Sequence, residues 1–258
     1  MKFFGIEFHV SDHCNMNCKN CNHYSILAPP VFPNFDDFKN DLILSSKWKQ
    51  YIPRIYLIGG EPLLNPALPD FIETTRYYFP TQTIDVYTNG LLLKSMDDKF
   101  WKTLKKNNAG IIHSIHPYWF AGTDYLDIED LAEQWGITLD TIIYSKFRRF
   151  RYDLTKDNGN KSFHECYQKN CTIIRNGRIH RCPFVACSNF VKDYFNVDIK
   201  VSADDYLEMK SITDWNQVLD FLSKPSSFCG YCDCDDWEWV NWDRSELKRN
   251  EFLIEEIK

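Results

Sequence analysis

Short apolar runs alternate with longer helix-like stretches through the first part of this 258-residue chain, and the runs end in polar or glycine-bearing residues. Ile6 to Val10 reads as the first strand. Asp36 to Gln50 reads as a helix, with Phe38, Leu42, Ile43 and Trp48 near helical spacing. Then come a strand at Arg54 to Ile58, a helix at Pro66 to Phe79 closed by Pro80, a strand at Thr83 to Tyr87 and a helix at Ser95 to Lys106. Gly110 to Ile115 is a strand, Asp127 to Trp135 a helix and Thr138 to Tyr144 a strand. This alternation predicts an α/β fold with a parallel sheet and right-handed crossovers. Eight such units would take most of the chain, so an open, partial barrel is expected, with its active edge at the C-terminal ends of the strands.

Composition narrows the class. Hydrophobic residues make up 44 % and charged residues 26 %, ordinary for a soluble globular protein. The net charge of −6 gives no reason to expect nucleic-acid binding. No apolar run reaches membrane-spanning length, and Glu7 and His9 interrupt the N-terminal run, so a signal peptide is not expected. A cytoplasmic location follows as the expectation. In a reducing compartment the 10 cysteines read as metal ligands before disulfides.

Three of those cysteines, Cys14, Cys18 and Cys21, lie in a tight loop after the first strand. The spacing admits a zinc site completed by His9, His13 or His23, an open-site iron–sulfur cluster, or coincidence. Two further motifs stand at successive strand ends: Gly59-Gly60-Glu61-Pro62 and Thr88-Asn89-Gly90. In this order and placement the three motifs resemble those of the radical S-adenosylmethionine (radical SAM) enzymes, over about the first 145 residues.

The resemblance implies a partial (β/α)6-type barrel over residues 1–150. It implies that Cys14, Cys18 and Cys21 hold a [4Fe–4S] cluster whose open iron chelates SAM. Glu61 and the backbone of Gly59 and Gly60 would take the SAM amino group, the glycines letting the backbone approach a ligand without a Cβ in the way. Asn89, Ser114 and Tyr24 would complete the SAM site, Tyr24 as an aromatic near adenine or as simple packing. One electron, from a donor such as flavodoxin or ferredoxin, would cleave SAM to a 5′-deoxyadenosyl radical that takes hydrogen from a small-molecule substrate.

Seven more cysteines follow from residue 166 onward, in a region bounded as 151–258. Arg175-Asn176-Gly177-Arg178 is a hairpin signal suited to a type I′ turn. Centring the turn on Asn176 and Gly177 sets Ile174 opposite Ile179 and Cys171 opposite Cys182, with facing Cβ atoms about 4.5–5.5 Å apart. Cys229 and Cys232 add a pair from far along the chain. The region resembles the auxiliary-cluster domain, twitch or SPASM, of some radical SAM enzymes. That likeness implies one auxiliary [4Fe–4S] cluster on Cys182, Cys229, Cys232 and either Cys166 or Cys171. Cys166 satisfies the family spacing to Gly177, whereas Cys171 sits better across the hairpin. A structural zinc site is the alternative, and Cys187 and Cys234 read as plain thiols. A helix is expected at Thr213 to Leu222 and another at Asp243 to Ile257, with Asp243 and Glu246 at the ends of a capping box.

The substrate is the least legible part. Arg148, Arg149 and Arg151, with Lys146 and interleaved aromatics, follow the fifth strand and would suit an anion such as a nucleotide sugar; a solvated basic loop is the plainer reading. His113, His116, Tyr118 and Trp119 lie at the end of the fourth strand. The form resembles small radical SAM enzymes of carbohydrate pathways, which implies oxidation or epimerisation of a sugar. A peptide maturase and a zinc-stabilised, non-catalytic binding module are the other two readings.

Overall fold

The computed structural model describes residues 5–117, 126–156 and 159–254. Tyr118 and Trp119 lie outside them. The strands and helices in chain order begin with β1 (Ile6–Ser11), α1 (Phe35–Ser46), β2 (Arg54–Gly59), α2 (Leu68–Tyr78), β3 (Thr83–Thr88) and α3 (Asp98–Lys106). They continue with β4 (Gly110–Ile115), α4 (Leu126–Trp135), β5 (Leu139–Ile143), β6 (Lys146–Arg148), α5 (Gly159–Glu165), β7 (Ile173–Arg175) and β8 (Arg178–His180). α6 (Pro183–Ala186), α7 (Ser188–Phe195), β9 (Tyr206–Glu208), α8 (Trp215–Ser223) and β10 (Trp239–Asn241) complete the series.

Eight strands form one sheet in the order β5-β4-β3-β2-β1-β7-β8-β9. β5 to β1 and β7 are parallel, β8 is antiparallel to β7, and β9 is antiparallel to β8. The sixth parallel strand thus comes from the cysteine-rich region and docks beside β1, extending the barrel sheet. β10 pairs with β6 in a separate ribbon. Among the described residues no helix is long and apolar enough to cross a membrane.

Strand alternation explains the core. Ile6, Phe8 and Val10, Ile55 and Leu57, Ile84 and Val86, and Ile111 pack with Phe38, Leu42, Phe71, Phe100, Trp101 and Ile128 of the helices. Each such buried side chain contributes about 1.5–3 kcal/mol. α1 begins where the Asn34 side chain accepts from Asp36 N and Asp37 N, and α3 where Asp97 accepts from Phe100 N. A second apolar cluster joins Tyr24 and Leu27 to Tyr152, Phe184, Phe190 and Phe252.

Two expectations need correction. Residues 243–254 form no α-helix; their one helical turn is a short 3-10 piece at Arg249–Glu251. The start of the tail is tied instead to the cysteine loop, where Lys19 N donates to Asp243 O and Ser245 N to Asn17 O, both at 2.9 Å. Its end is tied to Tyr152, whose N donates to Phe252 O and whose O accepts from Ile254 N. The capping box occurs at α8, where Asp214 and Gln217 satisfy each other's end of the helix. The sequence Asp153 to Lys161 is polar and reads as loop, but α5 starts within it at Gly159.

Candidate active site

β1 ends at Ser11 and the chain turns into the loop that carries Cys14, Cys18 and Cys21. Backbone bonds tie this loop to the end of β2: Gly60 N to Ser11 O at 2.8 Å and Glu61 N to His13 O at 3.0 Å. Here the glycines show their use. A Cβ on Gly59 would lie 1.9 Å from Ser11 O, and one on Gly60 2.0 Å from His13 O. The two glycines make room for the backbone of the cysteine loop. Burial raises the Cys14 thiol pKa, with Glu61 next in effect. Burial and Cys21 push Cys18 up to about 12, against a hydrogen bond from Trp242. The Cys14 and Cys18 thiols are therefore protonated when free, and metal loading expels their protons.

Glu61 has no exposed surface. Its Oε1 accepts from Thr88 Oγ1 at 2.6 Å and Leu63 N at 3.0 Å, and its Oε2 from Asn89 N at 2.8 Å. Burial lifts its pKa to about 7 despite these donors. The carboxylate therefore braces the end of β3 to the end of β2. Ser114 is likewise committed, its hydroxyl donating to Thr88 O at 3.0 Å. Asn89 does reach the cysteine loop: its Nδ2 donates to Asn15 Oδ1 at 2.8 Å and lies 3.7 Å from Cys14 Sγ. Tyr24 lies in the second apolar cluster, its ring 5.6 Å from that of Tyr152 and 6.2 Å from that of Phe184, and packing describes its place.

His113 is buried beneath Gly90, whose hypothetical Cβ would sit 2.3 Å from His113 Nε2. His116, at the mouth of the sheet, stacks on Tyr144 and Phe147 with centroids 5.7 and 5.6 Å away. Burial, then His113, lowers its pKa to about 4, so the ring is neutral at pH 7.

The second cysteine group surrounds a cavity lined by Cys166, Cys182, Cys229 and Cys232 with Phe163, Phe184 and Phe228. Cys171 is not on that lining; burial, then the Glu7 carboxylate, pushes its thiol pKa up. The hairpin register is as read, with Ile174 opposite Ile179, and its paired strands stop at Ile173 and His180. Cys166 arrives from the end of α5 instead. Arg181 borders the cavity with a buried Nε that has no hydrogen-bond partner among the described residues, a donor suited to an anionic centre. Among the described residues no three His, Cys, Asp or Glu side chains gather closely enough to chelate one metal ion. Four thiols around a cavity suit a larger, multi-atom centre. Cys187 and Cys234 are buried, and all ten cysteines are free thiols.

The basic stretch is not the open anion site expected. Arg149 pairs with Asp236 at 3.0 Å and Glu238 at 2.5 Å, and Arg151 with Asp236 at 2.5 Å. Nor is it a solvated loop, since β6 pairs with β10 there. Arg148 has no carboxylate within salt-bridge distance among the described residues; its guanidinium lies over Trp237 at 4.8 Å and Tyr167 at 5.4 Å.

Sequence reading missed two features. Arg175, at the hairpin tip, forms a bidentate pair with Asp12 at 2.7 Å on both oxygens, and His9 Nδ1 lies 3.5 Å from Asp12 Oδ1. The pair ties the cysteine-rich hairpin to the base of the cysteine loop. Trp242 Nε1 donates to Cys18 Sγ at 3.2 Å. Neither has a local motif, because the partners are far apart in sequence.

The buried histidines give a pH prediction. Burial lowers His9 to about 4 and His180 to about 3. Above about pH 6.5 both are neutral in the folded and unfolded chain, and their contribution is full. As pH falls from there toward 4 the unfolded chain takes up protons that the folded one refuses, and stability is lost. His113 and His116, lowered to about 4, add to the loss, and Glu61, raised to about 7, opposes it by protonating first in the folded chain. The urea midpoint of the metal-free protein is therefore expected to fall from pH 7.5 to pH 5 by a net amount worth at least about 1 kcal/mol. A flat midpoint would sink the assignment.

A parallel α/β sheet with a three-cysteine loop, a glycine-glutamate turn and an asparagine at consecutive strand ends defines a SAM- and cluster-dependent enzyme. Residues 8–140 match the Radical SAM superfamily, and the chain belongs to that family. Its members use a [4Fe–4S] cluster and SAM, so the chain is an enzyme with those cofactors. Among curated proteins it is similar to the 7,8-dihydro-6-hydroxymethylpterin dimethyltransferase of Methanocaldococcus jannaschii, 30 % identical over 105 residues, 40 % of this chain and 20 % of that protein. It is also similar to the GTP 3′,8-cyclase of Trichodesmium erythraeum, 28 % identical over 111 residues, 41 % of this chain and 34 % of that one. The matched region thus spans about a third or less of either relative. Among solved structures, BtrN in complex with AdoMet and 2-DOIA shares the fold at a TM-score of 0.55 and 18 % identity, over 90 % of this chain and 93 % of that one. The likeness of fold therefore runs beyond the family match into the cysteine-rich region.

Proposed function

We propose that this enzyme carries two clusters and oxidises a small carbohydrate-class substrate. Cys14, Cys18 and Cys21 hold the open [4Fe–4S] cluster; Cys166, Cys182, Cys229 and Cys232 hold a second one. When bound, the open cluster and SAM supply the 5′-deoxyadenosyl radical. The observation that carries the reading is the cavity lined by four cysteines. Four protein ligands close a cluster to substrate coordination and leave it electron transfer. Loss of a hydrogen atom, then of an electron to that centre and of a proton, makes a two-electron oxidised product.

His116 is the proton acceptor in this reading: it is neutral at pH 7, and its buried Nδ1 has no hydrogen-bond partner among the described residues. Arg148 is the guanidinium that remains for an anionic group, as in a nucleotide sugar. The fold shared with BtrN, whose complex holds AdoMet and 2-DOIA, supports a small-molecule chamber. The chain's place is the cytoplasm, with flavodoxin or ferredoxin as electron donor.

Anaerobically reconstituted protein, given reductant and SAM, should form 5′-deoxyadenosine faster with the right substrate. Sugars, nucleotide sugars and peptides are the arms of that screen, and stimulation by peptides alone would overturn the carbohydrate assignment. With a turning-over substrate, His116→Asn is expected to lower product formation about 10²-fold or more while 5′-deoxyadenosine still forms. A loss of under threefold would remove His116 from the proton transfer.

A further inference from the structure

The tail contact on the cysteine loop is more than packing. Trp242 stands between two anchored stretches. Before it, β10 pairs with β6, Trp239 opposite Arg148 and Asn241 opposite Lys146. After it, Arg244 bridges antiparallel to Cys18, with the Asp243 and Ser245 backbone bonds on either side. Glu251 adds a contact to Lys19 at 3.7 Å and accepts from Ser245 Oγ and Glu246 N. The indole is therefore held in place, with its Nε1 donating to Cys18 Sγ at 3.2 Å.

We infer that Trp242 is a positioning residue that sets the reduction potential of the SAM-binding cluster through its N–H···S bond to Cys18. This rests on Cys18 being a ligand of the open cluster. A hydrogen bond to a ligating sulfur grows stronger as the sulfur gains electron density, so it favours the reduced cluster. An indole has a donor and no acceptor, and it cannot compete for the metal. A partly buried site strengthens the effect, because water cannot replace the lost donor at full value. The tail thereby makes one electron easier to place on a centre that must be reduced before SAM is cleaved.

The test is a redox titration of reconstituted holoprotein followed by electron paramagnetic resonance, with and without SAM. The signal that SAM perturbs belongs to the open cluster. In Trp242→Phe that signal should move to more negative potential. At the wild-type midpoint the reduced-to-oxidised ratio should fall roughly tenfold, about 59 mV for one electron. The second cluster's midpoint should stay in place. An unchanged midpoint, or an equal shift of both centres, overturns the inference. Should the Phe variant fail to fold, benzothienylalanine at position 242 keeps the ring shape and drops only the N–H, and the same shift is expected. Loss of the SAM-sensitive signal in Cys18→Ala is required too; its persistence would sink the ligand reading, and with it the ground of the inference.

Discussion

Cys14→Ala is expected to abolish 5′-deoxyadenosine formation and to remove about four iron atoms per chain, leaving the second cluster's spectrum intact. The side chain is half-buried in a loop whose backbone is held by other bonds, from Gly60 N to Ser11 O and from Glu61 N to His13 O. Losing the thiol therefore costs little fold. It does cost the site, since an open cluster with two protein ligands lacks the third thiolate that fixes it and orients SAM. Iron and sulfide analysis with chromatographic detection of 5′-deoxyadenosine would decide it. Residual formation above about one hundredth of wild type would contradict the assignment of Cys14. Cys182→Ala makes the complementary case: iron lost from the other centre, with SAM cleavage retained.

Arg175→Ala is expected to destabilise the protein by about 3 kcal/mol, the lower end of what breaking a buried pair costs. Asp12 is left with a buried carboxylate whose bidentate partner is gone; its side chain is only 5 % exposed, against 21 % for Arg175. The Arg side is partly wet, which is why the lower end applies. Arg175→Lys keeps the charge but loses the planar fork, and should recover about half of the loss. Urea unfolding of the metal-free variants measures both. The loss matters because native stability is about 5–15 kcal/mol in all. It also falls on the joint between the hairpin of the second cysteine group and the loop of the first. A shift worth under about 1 kcal/mol would mean that Arg175 is solvated, not paired.

Sheet and helices were legible because local periodicity reports them directly. Gly110–Ile115 was read to the residue, and other element ends drifted by a few positions, as at Asp36, where Asn34 caps the helix. The hairpin register followed from Asn176 and Gly177 alone. The tail was misread for a physical reason. Its residues can form a helix, but Asp243 O and Ser245 N found partners on Lys19 and Asn17, more than two hundred positions away, and Phe252 O and Ile254 N found theirs on Tyr152. Local propensity cannot see that competition.

The cysteine loop, the Gly59–Pro62 turn and the Thr88–Gly90 end carried the family, because cofactor chemistry imposes close spacing that survives in a linear sequence. Which groups are spent and which remain was decided only by the tertiary structure. Glu61 turned inward to Thr88 and Asn89, Arg149 and Arg151 were consumed by Asp236, and Cys166 reached the four-cysteine cavity that Cys171 does not line. Trp242 on Cys18 and Arg175 on Asp12 have no trace in spacing. Such pairings depend on how distant segments meet in space, and only packing of the whole chain sets that.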